Sequence, residues 1–76
     1  MIRIEVKKDK TEKWIRLSVW FHDACPMEEV KMCAVHHMEQ YCIEHNQNHY
    51  QYATRILDNS GKVLFIRISD AEANTP

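Results

Sequence analysis

The sequence is poor in residues that interrupt secondary structure, with one glycine and two prolines among 76 residues. Together with a hydrophobic fraction of 45%, this excludes a disordered or low-complexity chain and is typical of one small globular domain. A glycine-rich phosphate-binding loop is also excluded, because the single glycine, Gly61, lies in a predicted hairpin turn. We expect one domain over residues 1–70 and a disordered C-terminal tail over residues 71–76.

The chain also lacks an excess of charge of either sign, since ten lysines and arginines stand against eleven aspartates and glutamates. Nucleic-acid-binding domains usually carry a clear basic excess, so this balance argues against that class without excluding a local basic patch. No apolar run is long enough to cross a membrane, and the N-terminal residues show no secretory signal. Three cysteines, an odd number, then favour a reduced cytoplasmic protein.

Hydrophobic periodicity predicts four strands. Apolar and charged residues alternate over residues 2–7, which is typical of a half-buried strand. Over residues 14–21 an aliphatic and phenylalanine set alternates with a second set that contains the tryptophans, and we interpret the two segments as a hairpin. The first set is Ile15, Leu17, Val19 and Phe21, and the second is Trp14, Arg16, Ser18 and Trp20. Residues 50–57 and 63–68 predict a second hairpin, with Gly61 supplying the positive φ that its turn requires.

The segment between the two hairpins predicts a helix. Pro26 suits its first position, Cys25 would then be the cap, and Glu28 and Glu29 would lie in the first turn. Apolar residues at spacings of three and four extend the helix to about Asn46. The expected fold is therefore α+β with the order ββαββ: a four-stranded antiparallel sheet from two hairpins, with one helix packed on one face. The strand order is left open.

Histidines and cysteines cluster around this helix, and His22, Cys25, Cys42 and His45 have the spacing of a four-ligand zinc site. Along a continuous helix, however, Cys25 and Cys42 would lie roughly 25 Å apart. All ligands of one zinc ion must lie within about 2.3 Å of it. We therefore predict no metal and no cofactor. A thiol- or metal-dependent protein that uses the His/Cys-rich helix stays as a second alternative.

Cys25 is the best candidate for a catalytic residue, because a helix N-terminus stabilises a thiolate and His22 is close in sequence. Against this, the negative charges of Glu28 and Glu29 in the same turn would destabilise that thiolate. The chain shows no paired carboxylates beside a plausible pocket and no second cysteine within reach of Cys25. The sequence predicts a protein that is not an enzyme and has no catalytic residues.

One helix covers only one face of a sheet, so the other face of the predicted sheet has no cover. If the isoleucine-rich face packs on the helix, strict alternation places tryptophans, a phenylalanine and arginines on the opposite face, a composition typical of the centre of a protein interface. The predicted partner-binding residues of this face are Trp14, Arg16, Trp20, Phe65 and Arg67. A stripe on the far side of the helix adds Met32, His36 and Ile43, for which scattered surface residues are the alternative interpretation.

The predicted function is that of a small protein-interaction module: an inhibitor, adaptor or regulator that binds a larger protein or forms a homodimer through its sheet face. The size and the start "MIRIEV" are typical of small phage or mobile-element regulators. The first alternative is a nucleic-acid-binding sheet, in which aromatic rings stack on bases and the lysines of the first hairpin contact phosphates. These lysines are Lys7, Lys8, Lys10 and Lys13. No membrane partner is expected.

Overall fold

The computed structural model describes residues 1–75 and contains one four-stranded antiparallel sheet with one long helix. The strands are β1 (Ile2–Lys8), β2 (Ile15–Phe21), β3 (Tyr52–Leu57) and β4 (Val63–Arg67), and the helices are α1 (Met27–Glu44) and α2 (Asp70–Ala73). A 3-10 turn (His49–Gln51) precedes β3. The predicted ββαββ fold of the α+β class is confirmed.

The strand order β2-β1-β3-β4 keeps the two strands of each hairpin side by side and joins the hairpins through β1 and β3. At this junction Ile4 lies opposite Ile56, and Val6 lies opposite Thr54. The long connection through α1 therefore returns the chain to the middle of the sheet. As a result, β2 and β4 are the two edge strands.

The hydrophobic core lies between α1 and one face of the sheet, which we call the covered face. From α1, the side chains of Val30, Ala34, Met38 and Cys42 recur every four residues, and each is at most 1% exposed. The sheet contributes Ile2, Ile4, Val6, Leu17, Tyr52 and Ile56. Removing this apolar surface from water is the main stabilising contribution to so small a domain.

The helix α1 begins after Pro26, and the predicted capping role of Cys25 is wrong. Pro26 has an extended backbone, with φ −58° and ψ 135°, and its carbonyl accepts hydrogen bonds from the N–H groups of Glu29 and Val30. No side chain among the described residues caps this end of the helix. The carboxylates of Glu28 and Glu29 in the first turn compensate, since negative charge there is favourable to the helix dipole.

The helix α1 ends at Glu44, two residues earlier than the apolar spacing predicts. Asn46 has a φ of 53°, a left-handed conformation that asparagine tolerates better than most residues. Its N–H donates to the carbonyl of Ile43, and the N–H of Gln47 donates to the carbonyl of Cys42. These two bonds form a Schellman motif, which satisfies the last carbonyls and turns the chain out of the helix.

The third strand begins later than predicted, because residues 50 and 51 belong to the 3-10 turn. The side chain of Asn48 accepts a hydrogen bond from the N–H of Tyr50 at 3.0 Å and so begins this turn. Local capping by a side chain therefore competes successfully with the strand pattern that residues 50–57 show in the sequence.

Residues 70–73 form the helix α2, whereas the sequence predicted disorder from residue 71. The helix follows Ser69, which is fully buried and whose hydroxyl accepts a hydrogen bond from the N–H of Glu72. The same hydroxyl donates to the carboxylate of Asp9, at the end of β1. The chain is thus held back against the sheet after β4. Pro76, also part of the predicted tail, lies outside the described residues.

Truncating Ile56, which has no exposed surface, should destabilise the domain far more than truncating Ile43, which is 66% exposed. We expect Ile56→Ala to lower the free energy of unfolding by about 2–5 kcal/mol, because it leaves a cavity between β3 and α1. Ile43→Ala should change it by less than about 0.5 kcal/mol. Urea denaturation followed by circular dichroism measures both values, and equal effects at the two positions would contradict the described core.

The β3–β4 hairpin is closed by the side chain of Asp58. Its Oδ1 accepts hydrogen bonds from the Ser60 hydroxyl at 2.7 Å, from the Ser60 N–H at 2.9 Å and from the Lys62 N–H at 3.0 Å. The Ser60 hydroxyl, followed by the Lys62 N–H, lowers the pKa of Asp58 below its ordinary value. Gly61 completes the turn with a φ of 88°, which glycine adopts without strain.

Because the pKa of Asp58 is lower in the folded than in the unfolded chain, its contribution to stability is present above pH 3.8 and is lost as the pH falls further. Asp58→Asn keeps an oxygen that accepts the same bonds but does not titrate. We expect the variant to lose less stability than the wild type between about pH 5 and pH 2. The free energy of unfolding in urea, measured across this range, checks the prediction. Parallel pH profiles would show that Asp58 has no such role.

Candidate functional site

The sheet has a second face, which we call the open face because it points away from α1. On β1, Arg3, Glu5 and Lys7 alternate with the core residues and so lie on this face. Glu5 lies opposite Arg16 of β2 and Arg55 of β3. Charged side chains of three neighbouring strands therefore meet in the middle of the open face.

Glu5 is the centre of this group, and it is only 7% exposed. Its Oε1 accepts a hydrogen bond from Arg55 Nε at 2.8 Å and lies 2.7 Å from Arg55 Nη2. Its Oε2 lies 3.5 Å from Arg16 Nε. A carboxylate withdrawn from water is costly unless it is paired, and two guanidinium groups meet that requirement here. The alternation of β1 predicts the face on which Glu5 lies, but it predicts neither the burial of this carboxylate nor its two partners.

The ring of Trp14 packs against the Arg55 guanidinium of the ion pair between Glu5 and Arg55. The guanidinium carbon of Arg55 is 4.3 Å from the centre of its ring, and Lys7 Nζ is 5.7 Å away. Lys7 Nζ also donates to the carbonyl of Thr11 at 2.9 Å, within the β1–β2 turn. These cation–π contacts hold the half-buried indole ring against the protein. Trp14 and Arg16 therefore lie on the open face, as predicted, but both belong to a packed arrangement around Glu5.

The exposed apolar residues of the open face lie at its margins. Trp20, which is 47% exposed, lies opposite Arg3 on the side of β2. On the side of β4, Ile66 lies opposite Arg55. Leu64, at the irregularity of β4, and Ile68, directly after the strand, lie two residues on either side of Ile66. Their exposed fractions are 39% for Leu64, 53% for Ile66 and 46% for Ile68. We call these three residues the aliphatic strip.

The predicted placement of Phe65 and Arg67 on the open face is wrong. Phe65 lies opposite Ile56, and Arg67 lies opposite Thr54, so both side chains are on the covered face. Phe65 packs against the core, and Lys31 Nζ of α1 lies 4.5 Å from the centre of its ring.

Arg67 forms an ion pair with Asp70 at 3.0 Å. The physical reason for the error is that residues 63–66 are all apolar, so alternation has no contrast in this strand. Pairing with β3 decides which side chains face α1. The sequence alternation predicted that the aliphatic strip lies on the covered face, but in the structure its side chains lie on the open face.

The predicted stripe on the far side of α1 is exposed, as expected from its position on the helix. Met32 is 74% exposed and Ile43 66% exposed, and His36 is exposed with its ring 5.8 Å from that of His37. This stripe and the open face lie on opposite sides of the molecule. One flat partner surface cannot contact both, so they are separate candidate surfaces.

The lysines proposed for nucleic-acid binding lie at the β1–β2 turn. Lys8, Lys10 and Lys13 are exposed there, whereas Lys7 is held by its bond to the turn. Trp20 lies beside Arg3, at the other end of the same hairpin. Five residues along a strand span roughly 17 Å, so the structure does not bring these lysines and Trp20 together.

The three cysteines lie apart in three different environments. Cys25 is half-buried at the margin of the core, Cys33 is exposed on α1, and Cys42 is buried. Burial, followed by the nearby charge of Glu39, raises the pKa of the Cys42 thiol and so disfavours the thiolate that catalysis or metal binding requires. Within residues 1–75, no three histidine, cysteine, aspartate or glutamate side chains lie close enough together to hold one metal ion.

Comparisons with protein-family models, with curated proteins and with solved structures found no match to this chain. No helix in residues 1–75 has the length and apolar character needed to cross a bilayer. We therefore infer the function from the geometry of the open face.

The ion pair between Glu5 and Arg55 should be strongly coupled energetically. Glu5→Gln leaves two arginines without their anion, and we expect it to lower the free energy of unfolding by about 3 kcal/mol. The exposed Glu12 in the turn provides the matched control, Glu12→Gln, with an expected change below about 0.5 kcal/mol. A double-mutant cycle of Glu5→Gln with Arg55→Met should give a coupling energy of about 1–3 kcal/mol. A coupling energy of zero would contradict the arrangement described for the open face.

Proposed function

We propose that this chain is a small, non-catalytic protein-interaction module, an inhibitor, adaptor or regulator that binds another protein through its open face. The observation that carries the proposal is the position of Trp20 and the aliphatic strip, half exposed at the two margins of a charged centre. Exposed apolar side chains beside arginines are the composition of protein interfaces, in which tryptophan and arginine supply much of the binding energy.

The charged centre adds specificity to this surface. Arg3, Lys7, Arg16 and Arg55 share the open face with a single acidic residue, Glu5, so the face is basic although the whole chain has a net charge of −1. A protein surface that is acidic in its middle and apolar at its margins would complement it. Such complementarity accelerates association and selects among partners more than it raises affinity.

A protein partner suits this surface better than a nucleic acid does. Single-stranded nucleic acids are bound by aromatic rings that are free to stack on bases. Here one side of the Trp14 ring is occupied by Arg55, and the margin along β4 offers aliphatic side chains instead of rings. Arg16 and Arg55 are also engaged by Glu5, which reduces the charge available to phosphates.

The side chains that line the groove between α1 and β2 support the proposal of a non-catalytic role. The groove between α1 and β2 is lined by His37, Tyr41 and His45 among others. The rings of Tyr41 and His45 stack at 4.1 Å, and His45 Nδ1 donates to the carbonyl of Tyr41. Ser18 also lines this groove, but the hydrogen bonds of residues 1–75 include none from its hydroxyl to His37 or His45, the contact that would activate it as a nucleophile. Because the cysteines are free and Cys33 is exposed, we place the protein in a reducing compartment such as the cytoplasm.

Native mass spectrometry of the chain, purified from its own host under reducing conditions, tests the proposal. We expect a mass that includes a bound protein, and we expect Trp20→Ser to abolish it because the exposed ring anchors one margin of the interface. Ile43→Ser, on the far side of α1, is the matched control and should retain the bound protein. Circular dichroism verifies that both variants are folded.

The remaining outcomes would overturn the proposal. A bare wild-type monomer would contradict a protein-binding role, and loss of the partner in Ile43→Ser alone would move the interface to the α1 stripe. A stoichiometric metal mass would favour the thiol- or metal-dependent alternative. Binding to an oligonucleotide that weakens steeply with added salt and that requires Lys10 and Lys13 would favour the nucleic-acid alternative.

A further inference from the structure

The outer edge of β4 is the least protected backbone of the sheet. Its outward N–H and C=O groups pair with no other strand within residues 1–75. After Ile68 the chain turns away from this edge, because Ser69 is held at Asp9 near the end of β1. The helix α2 therefore lies at the end of the sheet and leaves the edge of β4 uncovered.

The other edge strand, β2, has the features that natural proteins use to prevent strand pairing. Its pairing with β1 is irregular between Arg3 and Glu5, and its second residue, Arg16, carries a charge. In β4, by contrast, the irregularity lies at the start of the strand, beside Leu57. The rest of the strand, residues 65–67, pairs regularly with β3 and carries one charge, at Arg67. An exposed, apolar and regular edge strand is a template for pairing with another chain.

We propose that two copies of this chain pair antiparallel through the outer edges of β4, about a two-fold axis at Ile66, and form one continuous eight-stranded sheet. The inference rests on the proposed function, since it names a second copy as a partner at one margin of the same open face. In this register Ile66 lies opposite Ile66 of the second copy, and Leu64 lies opposite Ile68 of the second copy.

The side chains of the two copies complement each other on both faces in this register. On the open face, the aliphatic strips of the two copies meet and form one continuous apolar surface, a favourable set of cross-strand pairs. On the covered face, Phe65 of each copy lies opposite Arg67 of the other, which places a cation beside an aromatic ring twice. No two like charges are opposed.

Electrostatics favours this edge pairing over stacking the two open faces on each other. Stacking would bring the basic centres of the two faces, with Arg3, Lys7, Arg16 and Arg55, into contact, and like charges would be opposed. In the edge-paired sheet, neighbouring strands lie about 4.8 Å apart, so the two β3 strands, which carry Arg55, lie roughly 14 Å apart and the two β1 strands roughly 24 Å apart. Both separations exceed the screening length of about 8 Å at physiological ionic strength.

The size of the contact sets its strength. The aliphatic strip, with exposed fractions of 39–53%, supplies a few hundred Å² of apolar surface per copy, less than the roughly 800 Å² per partner of a standard interface. Backbone hydrogen bonds between the two β4 strands contribute further to the affinity of the two copies. We therefore expect a reversible dimer with a Kd of roughly 10–100 µM.

Sedimentation velocity of the purified full chain between about 1 µM and 500 µM tests the inference, with the expected midpoint near the Kd given above. The wild type should pass from monomer to dimer in this range. Ile66→Lys and Ile66→Glu should each stay monomeric, because position 66 faces itself across the axis. An equimolar mixture of the two variants should recover the dimer by placing lysine opposite glutamate. Ile43→Lys is the matched control and should dimerise like the wild type.

Three results would overturn the inference: a wild type that stays monomeric at the highest concentration, an Ile66→Lys variant that dimerises normally, or a mixture that fails to recover the dimer. If circular dichroism shows that either charged variant is unfolded, Ile66→Thr, which suits a strand, replaces it and should weaken dimerisation at least about tenfold. A monomeric wild type that still binds a host protein through Trp20 would overturn the dimer alone. A normal dimer without any host partner would instead overturn the proposed binding of a separate protein.

Discussion

The arrangement of the open face depends on the buried carboxylate of Glu5. Because Glu5 lies on the central strand β1, its bonds to Arg55 and Arg16 connect three of the four strands on the side of the sheet that no helix covers. The position of Arg55 in turn fixes the ring of Trp14. With the middle of the face occupied by charges that are already paired, apolar surface remains exposed only at the margins, and this distribution determines where a partner can bind.

The same sheet shows how much of the fold follows from the sequence. The alternation of β1 and the four-residue spacing in α1 contrast apolar with charged residues, and both elements were correctly predicted from that contrast. β3 has no such contrast, since Ala53 and Leu57 are buried on the open face while Tyr52 and Ile56 are buried on the covered face. A strand buried on both sides gives no alternation that assigns its faces.

The face of each candidate site residue was predicted correctly where the sequence alternates and wrongly where it does not. Trp14, Arg16 and Trp20 belong to a segment in which polar and apolar residues alternate, so their face was predictable. Phe65 lies within an uninterrupted apolar run and Arg67 directly follows it, so their face is decided by the register with β3, which is a long-range property. Glu5 could have been recognised as a single acidic residue among arginines on the predicted open face. Its burial depends on the approach of Arg55, about fifty residues away in the chain.

The direction of the strands also determines how the molecule responds to mechanical force. β1 and β4 are both antiparallel to β3, so they run parallel to each other, and the first strand starts at the end of the sheet opposite to the one where the last strand stops. A pull between these two strand ends acts along the strands and loads many ladder hydrogen bonds at the same time, instead of opening them one after another. Extension from the ends therefore meets the combined resistance of the β1–β3 and β3–β4 ladders.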